Sequence, residues 1–171
     1  MPRQPVPQPT PRPAAVRGAP AVADNWLALD HQLCFALYAA SLAMTKTYKP
    51  LLAPLGLTYP QYLVMLVLWE GDGIGVSALG QRLTLDSGTL TPLLKRLQAL
   101  GLLQRQRDTA DERRVLLRLS PAGRRWKAQA LAVPQAVACA TACDLQQIQS
   151  LAAQLTALRQ QLNTPLSKAA A

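Results

Sequence analysis

The apolar residues of the chain recur at helical spacing over most of its length. From Asp24 to about Leu52, large apolar side chains follow one another at mixed intervals of three and four residues, which predicts one long helix. The same spacing returns from Asp144 to about Asn163 and predicts a last helix. The sequence therefore predicts a mainly α-helical chain with a long helix near each end.

Three shorter helices are predicted between these two. Their expected ranges are Tyr59 or Pro60 to Glu70, Val76 to Leu83, and Asp86 or Ser87 to Leu100. In the third of them, leucines at positions 90, 93, 94, 97 and 100 form one apolar stripe, and polar and cationic residues fall largely outside it. That helix therefore has a side for the core and a polar side for a partner.

Two short alternating segments after Gly101 predict a β-hairpin. Residues 102–107 and 114–119 approximate strands, and the charged segment 108–113 between them predicts a turn with a basic tip. Ser120 and Pro121 then have the N-cap and first-turn arrangement that begins another helix. The expected fold class is mainly α with a small β-hairpin.

The first 23 residues differ from the rest in composition. They contain seven prolines and three arginines, so they cannot sustain a helix and bury little apolar surface. We expect an extended, disordered arm, which is either a solvated tail or a source of additional phosphate contacts through its arginines. Residues 164–171 are expected to form a tail.

Length and charge restrict the function. A chain of 171 residues fits one domain, and its net charge of +9 favours a polyanionic partner, nucleic acid or an anionic membrane surface. Eleven Lys or Arg against four acidic residues lie between Arg82 and Lys127, so most of the charge is local. No apolar run approaches twenty residues, which argues against a membrane span, and three cysteines favour a reduced, cytoplasmic protein. With a single histidine, no metal site and no cofactor are expected.

The order of helix, short turn, second helix and basic hairpin is typical of a DNA reader that places a helix in the major groove and a wing beside it. Alternatives remain for individual residues, because the hydroxyls can cap the helix and the cations can belong to a solvated face. Pro92 removes a backbone hydrogen bond if the helix begins near Asp86, a break that is more often tolerated at a functional position. The alternative is that the helix begins later in the sequence. The candidate DNA-binding residues in this helix are Ser87, Gly88, Thr89, Thr91, Pro92, Lys95 and Arg96.

Four stretches resemble the MarR family of regulators. They are residues 32–38, 57–66, 85–97 and 111–113, and the resemblance extends from about Leu29 to Asn163, four-fifths of the chain. It implies a winged helix-turn-helix with N- and C-terminal dimerisation helices. The DNA-binding part would cover about residues 57–120, and the dimerisation helices about 24–53 and 121–163.

The same resemblance implies a homodimer that binds double-stranded palindromic operator DNA. The family's Asp-x-Arg motif corresponds to Asp111 and Arg113, with the aspartate holding the arginine for insertion into the minor groove. Arg107 belongs to the same basic wing.

The first two stretches point to the organic hydroperoxide resistance branch, OhrR, within the family. Its reactive cysteine corresponds to Cys34, and its two thiolate-binding tyrosines correspond to Tyr48 and Tyr59, with Tyr38 as a rival hydrogen-bond donor. Oxidation by an organic hydroperoxide would give a sulfenic acid that condenses with a second thiol. The two-cysteine branch implies Cys139 of the other subunit as that thiol. Cys143 is the alternative, and its four-residue separation from Cys139 predicts that both face the same way on one helix.

These observations predict a transcriptional repressor, not an enzyme, that senses organic hydroperoxides through Cys34 and releases its operator. One alternative keeps the fold but replaces oxidation with a small aromatic ligand bound between the dimerisation and DNA-binding parts. A second alternative is a thiol peroxidase, which the concentration of nucleic-acid-binding features in the centre of the chain disfavours.

Overall fold

The computed structural model describes residues 26–109, 111 and 113–164, so the predicted arm at 1–23 and all but the first residue of the predicted tail lie outside the described residues. The chain divides into two units, residues 1–41 and 42–171. Helix α1, Leu33–Leu52, begins in the first and continues into the second.

The described part of the first unit does not begin as a helix. A single 3-10 turn, Leu29–His31, precedes α1, and Gln32 has an extended backbone. The side-chain amide of Gln32 donates to the backbone carbonyls of Trp26 and Ala28, which in a longer helix would accept from backbone N–H groups. The prediction of a continuous helix from Asp24 is therefore wrong over its described first part, and the helix begins at Leu33.

The helices after α1 are α2 Tyr59–Glu70, α3 Val76–Leu83, α4 Ser87–Ala99, α5 Pro121–Ala130, α6 Ala132–Thr141 and α7 Leu145–Leu162. Helices α2, α3, α4 and α7 match their predicted bounds within one or two residues, and α5 begins at Pro121 as predicted. A separate helix at α6 was not predicted from the sequence. The N-termini of α2, α4 and α7 are capped as the sequence indicates: Thr58 and Gln61 form a capping box at α2, Asp144 and Gln147 form another at α7, and the Asp86 carboxylate accepts from the third residue of α4.

A three-stranded antiparallel sheet replaces the expected two-stranded hairpin. Strands β2, Leu103–Arg107, and β3, Val115–Leu119, pair as predicted, with Arg105 opposite Leu117. A third strand, β1, Ile74–Gly75, adds to the other edge of β3, so the order is β1-β3-β2. Two residues are too few for an alternating pattern, which is why the sequence did not indicate β1.

The core of the second unit lies between α2, α4, the sheet and α5. It consists mostly of leucines, with Tyr62 and Trp69 as its large aromatic members. The indole of Trp69 donates to the carbonyl of Gly123 at 2.8 Å, and a Cβ at Gly123 would lie 2.1 Å from the Leu102 carbonyl oxygen. Glycine at position 123 therefore lets α5 pack directly on the residue that leads into β2.

Asp72 ties the end of α2 to the sheet and to α5. Its carboxylate accepts from the Leu119 backbone at 2.7 Å and from the Arg124 guanidinium at 2.8 Å. Partial burial alone would raise the pKa of Asp72, but the hydrogen bonds from Arg124, Leu119 and Gly73 outweigh it and lower the pKa. The carboxylate is therefore held in its charged form.

No single helix among the described residues has both the length and the apolar composition of a membrane span. One bent pair, Leu33–Leu55 with Tyr59–Glu70, meets those two criteria together.

Candidate nucleic-acid interface and thiol sites

The two sides of helix α4 differ as the sequence predicts. Leu90, Leu94 and Leu97 are buried in the core. The candidate DNA-binding residues of the helix are all exposed: Ser87, Gly88, Thr89, Thr91, Pro92, Lys95 and Arg96. The structure therefore brings these seven residues together on the outside of one helix.

Two hydroxyls of this surface make local hydrogen bonds. Thr89 donates from its backbone N–H and its hydroxyl to the carboxylate of Asp86, at 2.7 and 3.0 Å. The Thr91 hydroxyl donates to the Ser87 carbonyl at 2.7 Å. The bonds from Thr89 lower the pKa of Asp86, so its carboxylate stays charged at the N-terminus of α4. These are the capping and back-bonding roles that the sequence left open for the hydroxyls. They hold the side chains of Thr89 and Thr91 in defined positions on the exposed surface of the helix.

Pro92 lies inside α4, because the helix begins at Ser87. It is the sixth helical residue, beyond the first turn in which a missing N–H has no cost. The carbonyl of Gly88 therefore loses its intrahelical donor on an exposed side of the helix.

The turn between β2 and β3 forms the wing. The Asp111 carboxylate accepts from the backbone N–H of Arg113 at 3.1 Å, and the Asp111 carbonyl accepts from the backbone of Arg114 at 2.9 Å. Asp111 therefore shapes the backbone that carries Arg113, and the side chains of Arg107 and Arg113 are exposed. Arg114 also lies 3.9 Å from Asp108 in a long ion pair.

The turn between α3 and α4 contacts the C-terminal helix. Thr84 caps α3 in the left-handed conformation, with a φ of 57°. Its hydroxyl accepts from the guanidinium of Arg159 on α7 at 3.2 Å. A side chain of the last helix therefore touches the turn that sets the position of α4.

The two candidate thiolate-binding tyrosines lie against each other. The rings of Tyr48 and Tyr59 have centroids 4.5 Å apart, and Tyr62 lies 6.0 Å from Tyr48. Burial, with a smaller contribution from Tyr59 and Tyr62, raises the pKa of Tyr48 to about 12. Burial also raises the pKa of Tyr59 and of Tyr62. All three phenols therefore keep their protons at neutral pH and can donate hydrogen bonds. The sequence did not indicate that Tyr62 packs beside Tyr48 and helps to raise its pKa.

A mostly apolar cavity of about 450 Å³ lies beside Tyr59. Residues from the end of α1 and the start of α2 line it, including Leu57 and Pro60. Lys46 and Lys49 supply the only side-chain cations among the described residues that line it.

The three thiols occupy different environments. Cys34 is exposed in the first turn of α1, in the first unit, and Cys139 is exposed on α6, in the second. Cys143 lies beyond the end of α6, half-buried, and donates to the Thr141 carbonyl at 3.3 Å. The expectation that Cys139 and Cys143 share one helix face is wrong, because Ala142 takes the left-handed conformation and ends the helix between them. Within the described ranges, no three His, Cys, Asp or Glu residues group as metal ligands.

Known proteins resemble this chain over most of its length. The HTH-type transcriptional regulator TtmR of Methylorubrum extorquens is 49% identical over 140 residues, which cover 82% of this chain and 72% of that protein. The organic hydroperoxide resistance transcriptional regulator of Bacillus subtilis is 53% identical over 106 residues, which cover 62% of this chain and 72% of that protein. The chain belongs to the MarR family of transcriptional regulators. The family model for the transcriptional regulator SarA/Rot matches residues 46–130 of this MarR-type chain.

A solved structure supports the winged-helix fold of this MarR-family regulator. Reduced AbfR bound to DNA has a TM-score of 0.67 and 31% identity, covering 82% of this chain and 97% of that one. The relatives named here are transcriptional regulators and not enzymes. The predicted fold class is thereby confirmed: a mainly helical MarR-type winged helix with a small antiparallel sheet.

Proposed function

We propose that this MarR-family regulator is a homodimeric repressor that binds palindromic operator DNA and releases it when an organic hydroperoxide oxidises Cys34. The observation that carries the DNA-binding part is the division of α4, whose leucines are buried while its seven candidate DNA-binding residues are exposed. Such a helix fits the major groove, and a dimer would hold two of them about 34–36 Å apart for successive half-sites.

The wing supplies the second DNA contact in this proposal. Arg113 lies in the turn between β2 and β3, where the carboxylate of Asp111 accepts a hydrogen bond from its backbone N–H. Arg107 is the last residue of the adjoining strand β2. Arginines at these positions reach the minor groove and neutralise phosphates on either side of it.

The redox part of the proposal begins at the exposed thiol of Cys34. Its thiolate attacks the distal oxygen of the hydroperoxide, the O–O bond breaks, and the products are a cysteine sulfenic acid and an alcohol. Cys34 lies in the first turn of α1, where backbone N–H groups have no acceptor within the helix and favour a negative charge nearby. Tyr48 and Tyr59 are the proposed donors to the sulfur, and their burial keeps them protonated for that role.

The sulfenic acid then condenses with a second thiol, so that an S–S bond forms and water leaves. The exposed position of Cys139 favours it over Cys143, which is half-buried and hydrogen-bonded to the backbone. We propose that the bridge joins Cys34 of one subunit to Cys139 of the other. Two electrons from a cellular thiol reductant restore both thiols.

Movement of the helices that carry the thiols would alter the spacing of the two DNA-reading helices. Helix α7 carries no cysteine, but it follows α6, which carries Cys139, after a three-residue connection. The contact from Arg159 on α7 to Thr84 in the turn before α4 supports the proposed connection, because a displacement of α6 that moves α7 would also move this contact. A modest rotation of one subunit relative to the other is enough to lose a palindromic site.

The experiment for the thiol pairing is non-reducing electrophoresis after treatment with cumene hydroperoxide, followed by the same gel with a reductant. Wild-type protein and Cys143→Ser are expected to form a covalent dimer that the reductant reverses. Cys34→Ser and Cys139→Ser are expected to remain monomeric on the gel. A covalent dimer that persists in Cys139→Ser and disappears in Cys143→Ser would overturn the assignment of Cys139.

A second candidate function keeps the DNA-binding role but replaces oxidation with a small aromatic ligand. A cavity of about 380 Å³ between α2 and the α5–α6 segment favours it, because Tyr62, Trp69 and Lys127 contribute aromatic surface and a cation. Cys34→Ser separates the two functions, since a ligand-released repressor keeps its response in that variant.

A further inference from the structure

Three arginines converge on a recess at the base of the wing. The recess has a volume of about 540 Å³, and Arg105, Arg113 and Arg114 line it. Gly75 and the first turn of α3 line it as well. None of the described residues that line it is acidic. We refer to these three arginines, with the N-cap Gly75 and the first helical residues of α3, Val76–Ala78, as the wing recess.

Arg105 indicates a ligand because part of its guanidinium group is buried without a hydrogen-bond acceptor. It lies on β2 opposite Leu117, two residues from the buried Leu103, and is itself partly buried. The Nε and Nη2 atoms are shielded from solvent, and no hydrogen-bond acceptor for them exists among the described residues. A guanidinium group offers five N–H donors and accepts none, so burial without an acceptor is unfavourable. An oxyanion is the chemical group that relieves this cost.

The N-terminus of α3 adds positive potential to the recess. The N-cap of α3 is Gly75, and no side chain caps this helix, so the first backbone N–H groups of its eight residues have no intrahelical acceptor. The Nη2 atom of Arg114 comes within 3.8 Å of the point that a Cβ on Gly75 would occupy. A guanidinium group therefore lies beside the positive end of a helix, an arrangement that an anion between the two would stabilise.

We propose that the wing recess binds a phosphate group of the DNA backbone. The inference rests on the proposed DNA-binding function and adds Arg105 and Arg114 to the DNA-contacting residues. A DNA phosphate is favoured over a free anion for two reasons. The recess shares Arg113 with the wing, and its arginines belong to the segment 82–127, which contains eleven Lys or Arg residues and only four acidic residues. Phosphate contacts of this kind fix the position of the protein on the duplex without reading its sequence.

The test is fluorescence anisotropy with a random-sequence 30-base-pair duplex at 50–200 mM salt. Losing one phosphate contact lowers the slope of log K against log salt by about 0.9 and, at 150 mM salt, weakens binding about fivefold. Arg105→Gln and Arg114→Gln are each expected to change the slope by that amount, and Arg105→Lys is expected to recover part of it. Arg125→Gln is the matched control, since it removes the same charge from an exposed position on α5 outside the recess.

Circular dichroism and thermal unfolding establish that each variant is folded before its slope is interpreted. An unchanged slope in folded Arg105→Gln, or an equal change in Arg125→Gln, would overturn the proposal. If 20 mM inorganic phosphate raises the Tm of the wild type but not of Arg105→Gln while the DNA slopes stay equal, the recess is a free-anion site and the DNA assignment fails. A wild type that binds no duplex refutes the proposed function itself, an outcome distinct from the loss of one contact.

Discussion

Replacing Pro92 with alanine is expected to stabilise the folded protein. Pro92 is the sixth residue of α4 and is exposed, so its ring contributes little buried surface that alanine would lose. Alanine restores a donor for the Gly88 carbonyl and removes the clash of the ring with the preceding turn. In helix interiors proline is less favourable than alanine by about 3 kcal/mol, which sets the upper limit of the gain.

The assay is thermal and urea unfolding of the wild type and the variant at one protein concentration. For a chain of this size, 1 kcal/mol changes Tm by about 2–4 °C, so the expected rise is up to roughly 6–12 °C. Gln98→Ala, at another exposed position of the same helix, is the control and is expected to change stability by only a few tenths of a kcal/mol. A Pro92→Ala variant that is equal to or less stable than the wild type would refute the claim that the proline interrupts a regular helix.

Three further outcomes are expected. Gly123→Ala should destabilise the protein severely, because the added Cβ would overlap the backbone carbonyl oxygen of Leu102. Gly71→Ala is the control and should fold normally, because a Cβ at that position has no atom within 4 Å; thermal unfolding compares the two variants. In an absorbance titration one phenol should ionise near pH 12, and Tyr48→Phe should remove that step. The lowered pKa of Asp72 stabilises the protein above pH about 3.8, and this contribution is lost as pH falls through the folded value; Asp72→Asn should flatten that part of the acid unfolding curve.

The bounds of α4 and α7 were predictable because the signals that set them are local. Helical spacing of leucines locates α4 and α7, and the capping residues Asp86 and Asp144 mark where each begins. The late start of α1 was not predictable, since the apolar spacing continues through the 3-10 turn. The helix begins only at Leu33, because Gln32 has an extended backbone and its side chain binds the preceding backbone carbonyls.

Contacts between segments that are distant in the sequence could not be predicted from the spacing of residues along the chain. Tyr48 and Tyr59 were selected by resemblance, and their contact depends on how α1 packs against α2 within the second unit. The wing recess needs β2, the wing turn and α3 to meet, so the pattern around Arg105 did not indicate a ligand site. The separation of Cys139 from Cys143 depends on a single left-handed residue, Ala142, which alanine rarely provides.

The proposal that oxidation of Cys34 releases DNA is tested most directly by anisotropy of a labelled duplex selected by this protein from a random pool. Wild-type protein bound to that duplex is treated with cumene hydroperoxide and then with a thiol reductant. We predict that the wild type releases the duplex on oxidation and rebinds it on reduction, and that Cys34→Ser binds with unchanged affinity and does not respond. Release of the duplex by the hydroperoxide from Cys34→Ser would contradict the account.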